Sequence, residues 1–140
     1  LIYLIIKDFA PPAIPLFCIY TAPMSLCLAG YMNTFERPEP SLIYFMLLIS
    51  LIIYLIVLVN LPIFLMMPFF PSYAAFTFPM VISAIACKLT TAKFLNSANP
   101  DLANMTKMIF TVETWIATIL VVYALVRFIM FILIAEEANK

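Results

Sequence analysis

The segments YTAPM (residues 20–24) and FTFPM (residues 76–80) share the pattern aromatic-Thr-x-Pro-Met. Each lies inside a long run without charged residues, from Phe9 to Phe35 and from Pro40 to Cys87. A proline inside a helix removes one backbone hydrogen bond, and membrane helices tolerate this where neighbouring helices or a water-filled cavity satisfy the freed carbonyl. The two copies therefore predict a repeated helical hairpin with a break in its first helix, an arrangement typical of transport proteins.

The composition indicates a membrane protein. The chain is 66% hydrophobic and 10% charged, whereas an ordinary soluble domain is about 25% charged, and its mean hydropathy is +1.16. Seven basic and seven acidic residues give zero net charge, which offers no support for nucleic-acid binding. The chain contains no histidine, so histidine-held haem or zinc and histidine-based catalysis are excluded for these residues.

No cofactor or metal site is expected, and the chain is predicted not to be an enzyme. It has no histidine, no paired carboxylates and no glycine motif. Cys18, Cys27 and Cys87 have neither disulfide nor metal-ligand spacing. Cys18 and Cys27 fall on opposite faces of one helix. All three are interpreted as small buried thiols.

Four membrane-spanning helices are predicted, in one membrane domain that covers residues 1–140. Gly30 suits the end of the first helix, and Ser41 is a candidate N-cap of the second. The charge-free run that begins at Pro40 is far longer than one span of about 20 residues, so it must turn, and the turn is expected from Asn60 through Pro71. The spans are expected at about 12–30, 41–59, 72–95 and 104–135.

The fold class is therefore all-α and polytopic, with the four helices arranged as two hairpins. In each hairpin the first helix carries the proline and small or hydroxylated residues, and the second is more apolar. This difference predicts that the first helix of each hairpin lines an interior and that the second helix of each hairpin faces lipid. The residues predicted to line or kink the pore are Thr21, Pro23, Thr77, Pro79 and Ser83. The threonine hydroxyls are expected to satisfy freed carbonyls or to meet a passing anion.

Lys88 and Glu113 are the notable charges at membrane depth. In an antiparallel hairpin they lie at similar heights, so an ion pair between them is the leading interpretation, because unpaired charges in lipid cost several kcal/mol. The alternative places Lys88 at a pore vestibule, where it raises the local anion concentration. Arg127 is expected to extend towards the far membrane interface.

The segment FFPSYAAFTFPMVISA (residues 69–84) resembles the ninth-helix region of the tellurite-resistance/dicarboxylate transporter family, which includes the plant slow anion channels. The resemblance implies that the chain is the C-terminal fragment of a longer protein, with the last four of ten helices. Those ten helices would form five hairpins around a quasi-five-fold pore, with the odd-numbered helices inside. The start at Leu1, within an apolar run, agrees with a fragment. The family members are commonly trimers.

The function implied by this resemblance is transport of small anions across the cell membrane. Candidate anions are C4-dicarboxylates such as malate, tellurite or sulfite, and small inorganic anions. By the resemblance, Phe78 is the phenylalanine that occludes the pore, and apolar constrictions of this kind gate by dewetting. The alternative for Phe78 is ordinary packing between helices. The alternative function is a non-transporting membrane anchor or assembly subunit of a larger complex.

Overall fold

The fold is helical throughout the part of the chain that the computed structural model describes, which comprises residues 11–66, 69, 71–95 and 100–138. Two of the α-helices follow directly on a 3₁₀ helix. We number the α-helices in chain order. The elements are a 3₁₀ helix Pro11–Thr21 leading into α1 Ala22–Thr34, then α2 Pro40–Leu65, a 3₁₀ helix Pro71–Phe76 leading into α3 Thr77–Leu95, and α4 Pro100–Ala138.

Among the described residues, three helical stretches are long and apolar enough to cross a membrane, by length and composition, and the first of the four predicted spans, 12–30, is not one of them. The three are Pro40–Leu65, Ser72–Leu95 and Asp101–Ile134. A 39-residue helix such as α4 is about 58 Å long at 1.5 Å per residue, well beyond a hydrocarbon core of about 30 Å. The chain is therefore a helical membrane protein, and α4 must tilt or extend beyond the bilayer.

Both Thr-x-Pro-Met motifs mark a change of helix type. The first 3₁₀ helix ends at Thr21 and the second at Phe76, and an α-helix begins at the next residue in each case. Pro23 and Pro79 therefore lie in the first turn of α1 and α3, where a missing N–H removes no α-helical hydrogen bond. The prolines thus start an α-helix on a 3₁₀ segment, instead of breaking the middle of an α-helix.

The end of α1 differs from the prediction that Gly30 stops the first helix. The helix continues to Thr34, and Gly30 lacks the positive φ that a glycine stop uses. Asn33 and Thr34 in the last turn donate to carbonyls of their own helix, Ala29 at 2.8 Å and Gly30 at 2.9 Å. The helix ends where Phe35 takes an extended conformation.

The bounds of α2 also differ from the prediction. It begins at Pro40, so Glu39 takes the N-cap position, and Ser41 donates to the Glu39 carboxylate at 3.3 Å. It continues through Asn60 and Pro62 as far as Leu65. A proline is tolerated at this depth where surrounding groups re-satisfy the backbone. The predicted turn therefore begins only after Leu65, and Pro68 lies outside the described residues.

The two helices that carry the proline motifs pack side by side. The 3₁₀ segments contact each other, and α1 packs along α3. In addition, α2 packs on α1, while the most extensive contact in the described part is between α3 and α4. Of the three candidate spans, α3 with its 3₁₀ turn is the most buried and α4 the least. The third helix is therefore packed between its neighbours more than the second and the fourth, and the lining of an interior stays a prediction.

Candidate functional site

Glu113 is a buried carboxylate in the middle of α4. Its side chain is only 2% exposed. Ser83 of α3 donates a hydrogen bond to Oε1 at 3.2 Å, and the thiol of Cys87, one helical turn further along α3, lies beside the same carboxylate. No described residue hydrogen-bonds Oε2. Half of this buried carboxylate is therefore left without a polar partner, which is uncommon in protein interiors.

A second unpartnered oxygen, the hydroxyl of Tyr54 on α2, lies near this carboxylate. Tyr54 is 3% exposed, and its hydroxyl has no hydrogen-bond partner among the described residues. Glu113 and Cys87 both lie within electrostatic range of that hydroxyl. Three helices therefore bring polar groups to one buried place, and we call Tyr54, Ser83, Cys87 and Glu113 the polar cluster.

The predicted ion pair between Lys88 and Glu113 is wrong. In the described part of the chain Glu113 bonds to Ser83 and has no cationic partner, and Lys88 is exposed. Lys88 and Glu113 lie at similar heights along their antiparallel helices, but the Lys88 side chain does not point towards Glu113. Ser83 and Cys87 are four residues apart and share the face of α3 that meets α4, whereas the next residue points about 100° away, as 3.6 residues make one turn.

One face of α3 is open. Phe78, Val81, Ile85 and Lys88 recur at helical spacing and are all exposed, Phe78 by 56%. We call these four residues the open face. At 1.5 Å per residue, Phe78 and Lys88 lie about 15 Å apart along the helix axis. An aromatic side chain and a cation therefore follow one another along the same uncovered surface.

The open face borders a cavity of about 430 Å³ between α3 and α4. Val81, Ile85 and Lys88 contribute to its wall, and Lys88 is the only charged residue among the described residues that line it. On the α4 side, Thr114 and Thr118 donate to carbonyls of their own helix at 2.7 and 2.8 Å. The cavity is thus largely apolar, with one cationic side chain.

The predicted lining and kink residues lie in different environments. Thr21, Pro79 and Ser83 are fully buried, Thr77 is partly buried and Pro23 is exposed. The Thr77 hydroxyl donates to the Ala74 carbonyl at 2.7 Å, which is not the carbonyl four residues before Pro79. The Thr21 hydroxyl has no partner in the described part. Pore lining stays a prediction for all five.

A serine pair connects α1 to α2, and it was not predicted. The Oγ atoms of Ser25 and Ser50 are 2.7 Å apart and buried, and Ser25 donates to the Thr21 carbonyl at 3.0 Å. Ser50 and Tyr54 are four residues apart, so both project from the same face of α2. Two polar residues at that spacing inside an otherwise apolar span are the sequence signal that would have identified this face.

We expect the serine pair to stabilise the contact between α1 and α2 by about 1 kcal/mol, in the range of interhelical hydrogen bonds in membranes. The measurement is a double-mutant cycle with Ser25→Ala, Ser50→Ala and both together, read out as the free energy of unfolding in mixed micelles. Thr111→Ala is the control, because that hydroxyl bonds only within its own helix, to the Lys107 carbonyl. Additive effects of the two serine changes would contradict the prediction.

Arg127 lies among aromatic rings. Its guanidinium carbon is 5.9 Å from the ring centre of Phe69, 6.0 Å from that of Tyr73 and 5.8 Å from that of Tyr123. These distances allow cation–π attraction. Arg127 is partly buried and packs on one ring before α3, one ring of the 3₁₀ helix that leads into α3 and one ring of α4 itself. Its extension towards the interface stays a prediction.

The cysteines are all free thiols, as expected from their spacing. Cys18 and Cys87 are buried, whereas Cys27 is exposed, which corrects the interpretation that all three are buried. The opposite orientations of Cys18 and Cys27 follow from their spacing along a helix. Cys87 alone of the three belongs to the polar cluster.

Comparisons with protein-family models, with curated proteins and with solved structures gave no match. The family resemblance of residues 69–84 therefore stays a prediction.

Proposed function

We propose that this chain is part of a membrane transport protein for small anions, which pass along the open face of α3. The observation that carries the proposal is that the two helices with matched Thr-x-Pro-Met motifs pack against each other and each changes helix type at its motif. Paired discontinuous helices near the bilayer centre are a recurring way to build transport sites. The motifs therefore have the arrangement that a conduction path between repeats requires.

The open face supports anions as the transported class. Phe78 is an exposed apolar side chain beside a proline break, and in the proposed protein it occludes the pore until it moves aside. Lys88 is an exposed cation without an acidic partner in the described part of the chain. Its charge attracts anions to the path, which favours the vestibule interpretation over the ion pair. A path with one cation and one aromatic constriction is better suited to small anions than to cations.

The resemblance of residues 69–84 narrows the proposal further. It suggests C4-dicarboxylates such as malate, tellurite or sulfite, or small inorganic anions. It also suggests a trimer in the cell (plasma) membrane, in which preceding helices complete a ten-helix bundle around each pore. Under this proposal the central path lies beside α1 and α3, and α2 and α4 form the outer ring.

Anion flux through the full-length protein in liposomes tests this function, with Lys88→Gln as the informative variant. Chloride, nitrate and malate are assayed side by side. One unit charge contributes about 1 kcal/mol at 4 Å in water, so we expect Lys88→Gln to lower the flux of the preferred anion about two- to fivefold at low salt. The difference should shrink at high salt, because the Debye length falls to about 3 Å at 1 M.

Lys107→Gln is the matched control, since Lys107 is exposed but does not line the cavity. Its flux should equal that of the wild type at every salt concentration. Equal flux from the Lys88 variant and the wild type would remove Lys88 from the path. No anion flux above that of protein-free liposomes would overturn the proposed function.

The second candidate is a membrane anchor or assembly subunit that transports nothing. It is favoured by the burial of Thr21 and Ser83, because two of the predicted lining residues are packed between helices. A wild-type protein that inserts correctly and conducts no anion would support this candidate.

A further inference from the structure

We propose that Glu113 is a proton-binding site inside the membrane, with Tyr54, Ser83 and Cys87 as its polar surroundings. The inference does not rest on the proposed function, because it concerns the charge of one buried group and not the solute that the protein carries. It follows from three observations: the burial of the carboxylate, the lack of a cation near it among the described residues, and its unpartnered oxygen Oε2.

The first two observations concern the charge of the carboxylate. An ionised carboxylate in an apolar interior costs several kcal/mol or more unless a cation or several hydrogen bonds compensate it. Glu113 accepts a hydrogen bond from Ser83 and a second, weak one from the Cys87 thiol. Because Glu113 is 2% exposed, bulk solvent adds little to this compensation. A bound proton removes the charge altogether and with it this cost.

No cation compensates Glu113 from any helix described. Neither α1 nor α2 contains a charged residue. On α3, Lys88 is exposed on another face, and Lys93 donates to the Glu36 carbonyl. On α4 itself, Lys107 and Arg127 lie about 9 and 21 Å away along the axis. The titratable groups that face Glu113 are the thiol of Cys87 and the hydroxyl of Tyr54, and both are neutral in their protonated forms.

The unpartnered oxygen of the carboxylate indicates where the proton is held. Glu113 Oε2 and the Tyr54 hydroxyl both lack hydrogen-bond partners in the described residues. Adding one proton to Oε2 converts the acceptor-only carboxylate into a group that also donates. The Tyr54 hydroxyl lies within electrostatic range of this carboxylate but does not hydrogen-bond it in this structure. The step is a simple association, in which the carboxylate gains one proton and loses one negative charge.

The oxygen set fits a proton better than a metal ion. Hard cations such as Ca²⁺ take six to eight oxygen ligands, and Mg²⁺ requires about six. The polar cluster offers a carboxylate and the hydroxyls of Ser83 and Tyr54, together with one thiol. The described residues hold no group of three or more acidic, cysteine or histidine side chains that suits a metal. A proton needs only one oxygen and a nearby acceptor.

Infrared spectroscopy of the full-length protein in liposomes tests the proposal directly. At neutral pH the wild type should show the carbonyl-stretch band of a protonated carboxylic acid, which shifts in D₂O. Glu113→Gln should remove this band. Glu113→Asp should shift the band without abolishing it, which separates loss of the acid from misfolding. Glu36→Gln, which changes an exposed loop carboxylate, should leave the band unchanged.

Two results would overturn the proposal. One is a wild-type spectrum without a protonated-acid band at neutral pH, in which Glu113→Gln removes ionised-carboxylate absorption instead. The other is a band that appears in choline buffer and disappears when sodium is added, because a metal ion would then occupy the site in place of the proton.

Discussion

Replacing Phe78 by alanine should raise anion flux at least about tenfold. Phe78 is the bulkiest side chain of the open face, and it lies between Thr77 and Pro79, where a 3₁₀ helix has just become α3. An apolar constriction excludes a hydrated ion because the ion loses water there without gaining polar partners. Each 1.36 kcal/mol removed from the barrier increases the rate tenfold, and removal of the ring should lower the barrier by at least this amount.

Phe45→Ala is the matched control for Phe78→Ala. Phe45 lies on α2 and is 58% exposed, close to the 56% of Phe78. Both variants lose the same atoms from a similarly exposed position, but only one changes the open face. We expect wild-type flux from Phe45→Ala in liposomes with matched protein content. Equal flux from all three proteins would mean that Phe78 packs against other helices or lipid and does not close a path.

Replacing Tyr73 by alanine should lower the free energy of unfolding by about 3 kcal/mol. Tyr73 is completely buried, its hydroxyl donates to the Phe64 carbonyl at 3.1 Å, and its ring contacts Phe76 with centroids 4.9 Å apart. Loss of a buried aromatic ring costs about 3–5 kcal/mol in soluble cores. We expect the lower end of this range in a membrane. Lipid is as apolar as the protein core, so the variant loses packing contacts but no hydrophobic transfer energy.

Two further variants separate the contributions of Tyr73. Tyr73→Phe keeps the ring and removes the hydroxyl, which also hydrogen-bonds the Arg127 side chain, so it should cost about 1–2 kcal/mol. Tyr44→Ala removes a partly exposed tyrosine that stacks on Phe94 at 5.2 Å, and it should cost about 1 kcal/mol, as aromatic pairs do. Unfolding of each protein is followed in mixed micelles. A loss below 1 kcal/mol for Tyr73→Ala would show that the link between α2 and α3 contributes little to stability.

The helical segments were predictable because the apolar composition that indicates them is a property of each segment alone. The apolar composition predicted a helical membrane protein, since lipid leaves a chain little choice but to satisfy its backbone within helices. The predicted range of 72–95 agrees closely with the segments Pro71–Phe76 and Thr77–Leu95. The predicted helix ends were wrong where a residue was assigned its most common role. Gly30 and Pro62 were expected to end helices, but both lie inside them.

The polar cluster was only half predictable. The position of Glu113 in an apolar helix marked it as notable, and its depth matched that of Lys88. Depth, however, does not determine which side chains meet. Tyr54 and Ser83 were not recognised as its neighbours, because one lies on a different helix far along the chain and the other was assigned to a pore wall.

The sequence by itself determined that this chain is a helical membrane protein and roughly which segments are helical, because hydropathy is a property of each segment alone. The tertiary structure decided that Glu113 meets Ser83 and not Lys88, and that Ser25 meets Ser50. The reason is rotational: each helix can turn about its own axis without changing its apolar length. Packing with neighbouring helices selects one rotation, and that choice places each polar side chain inside the protein or on its surface.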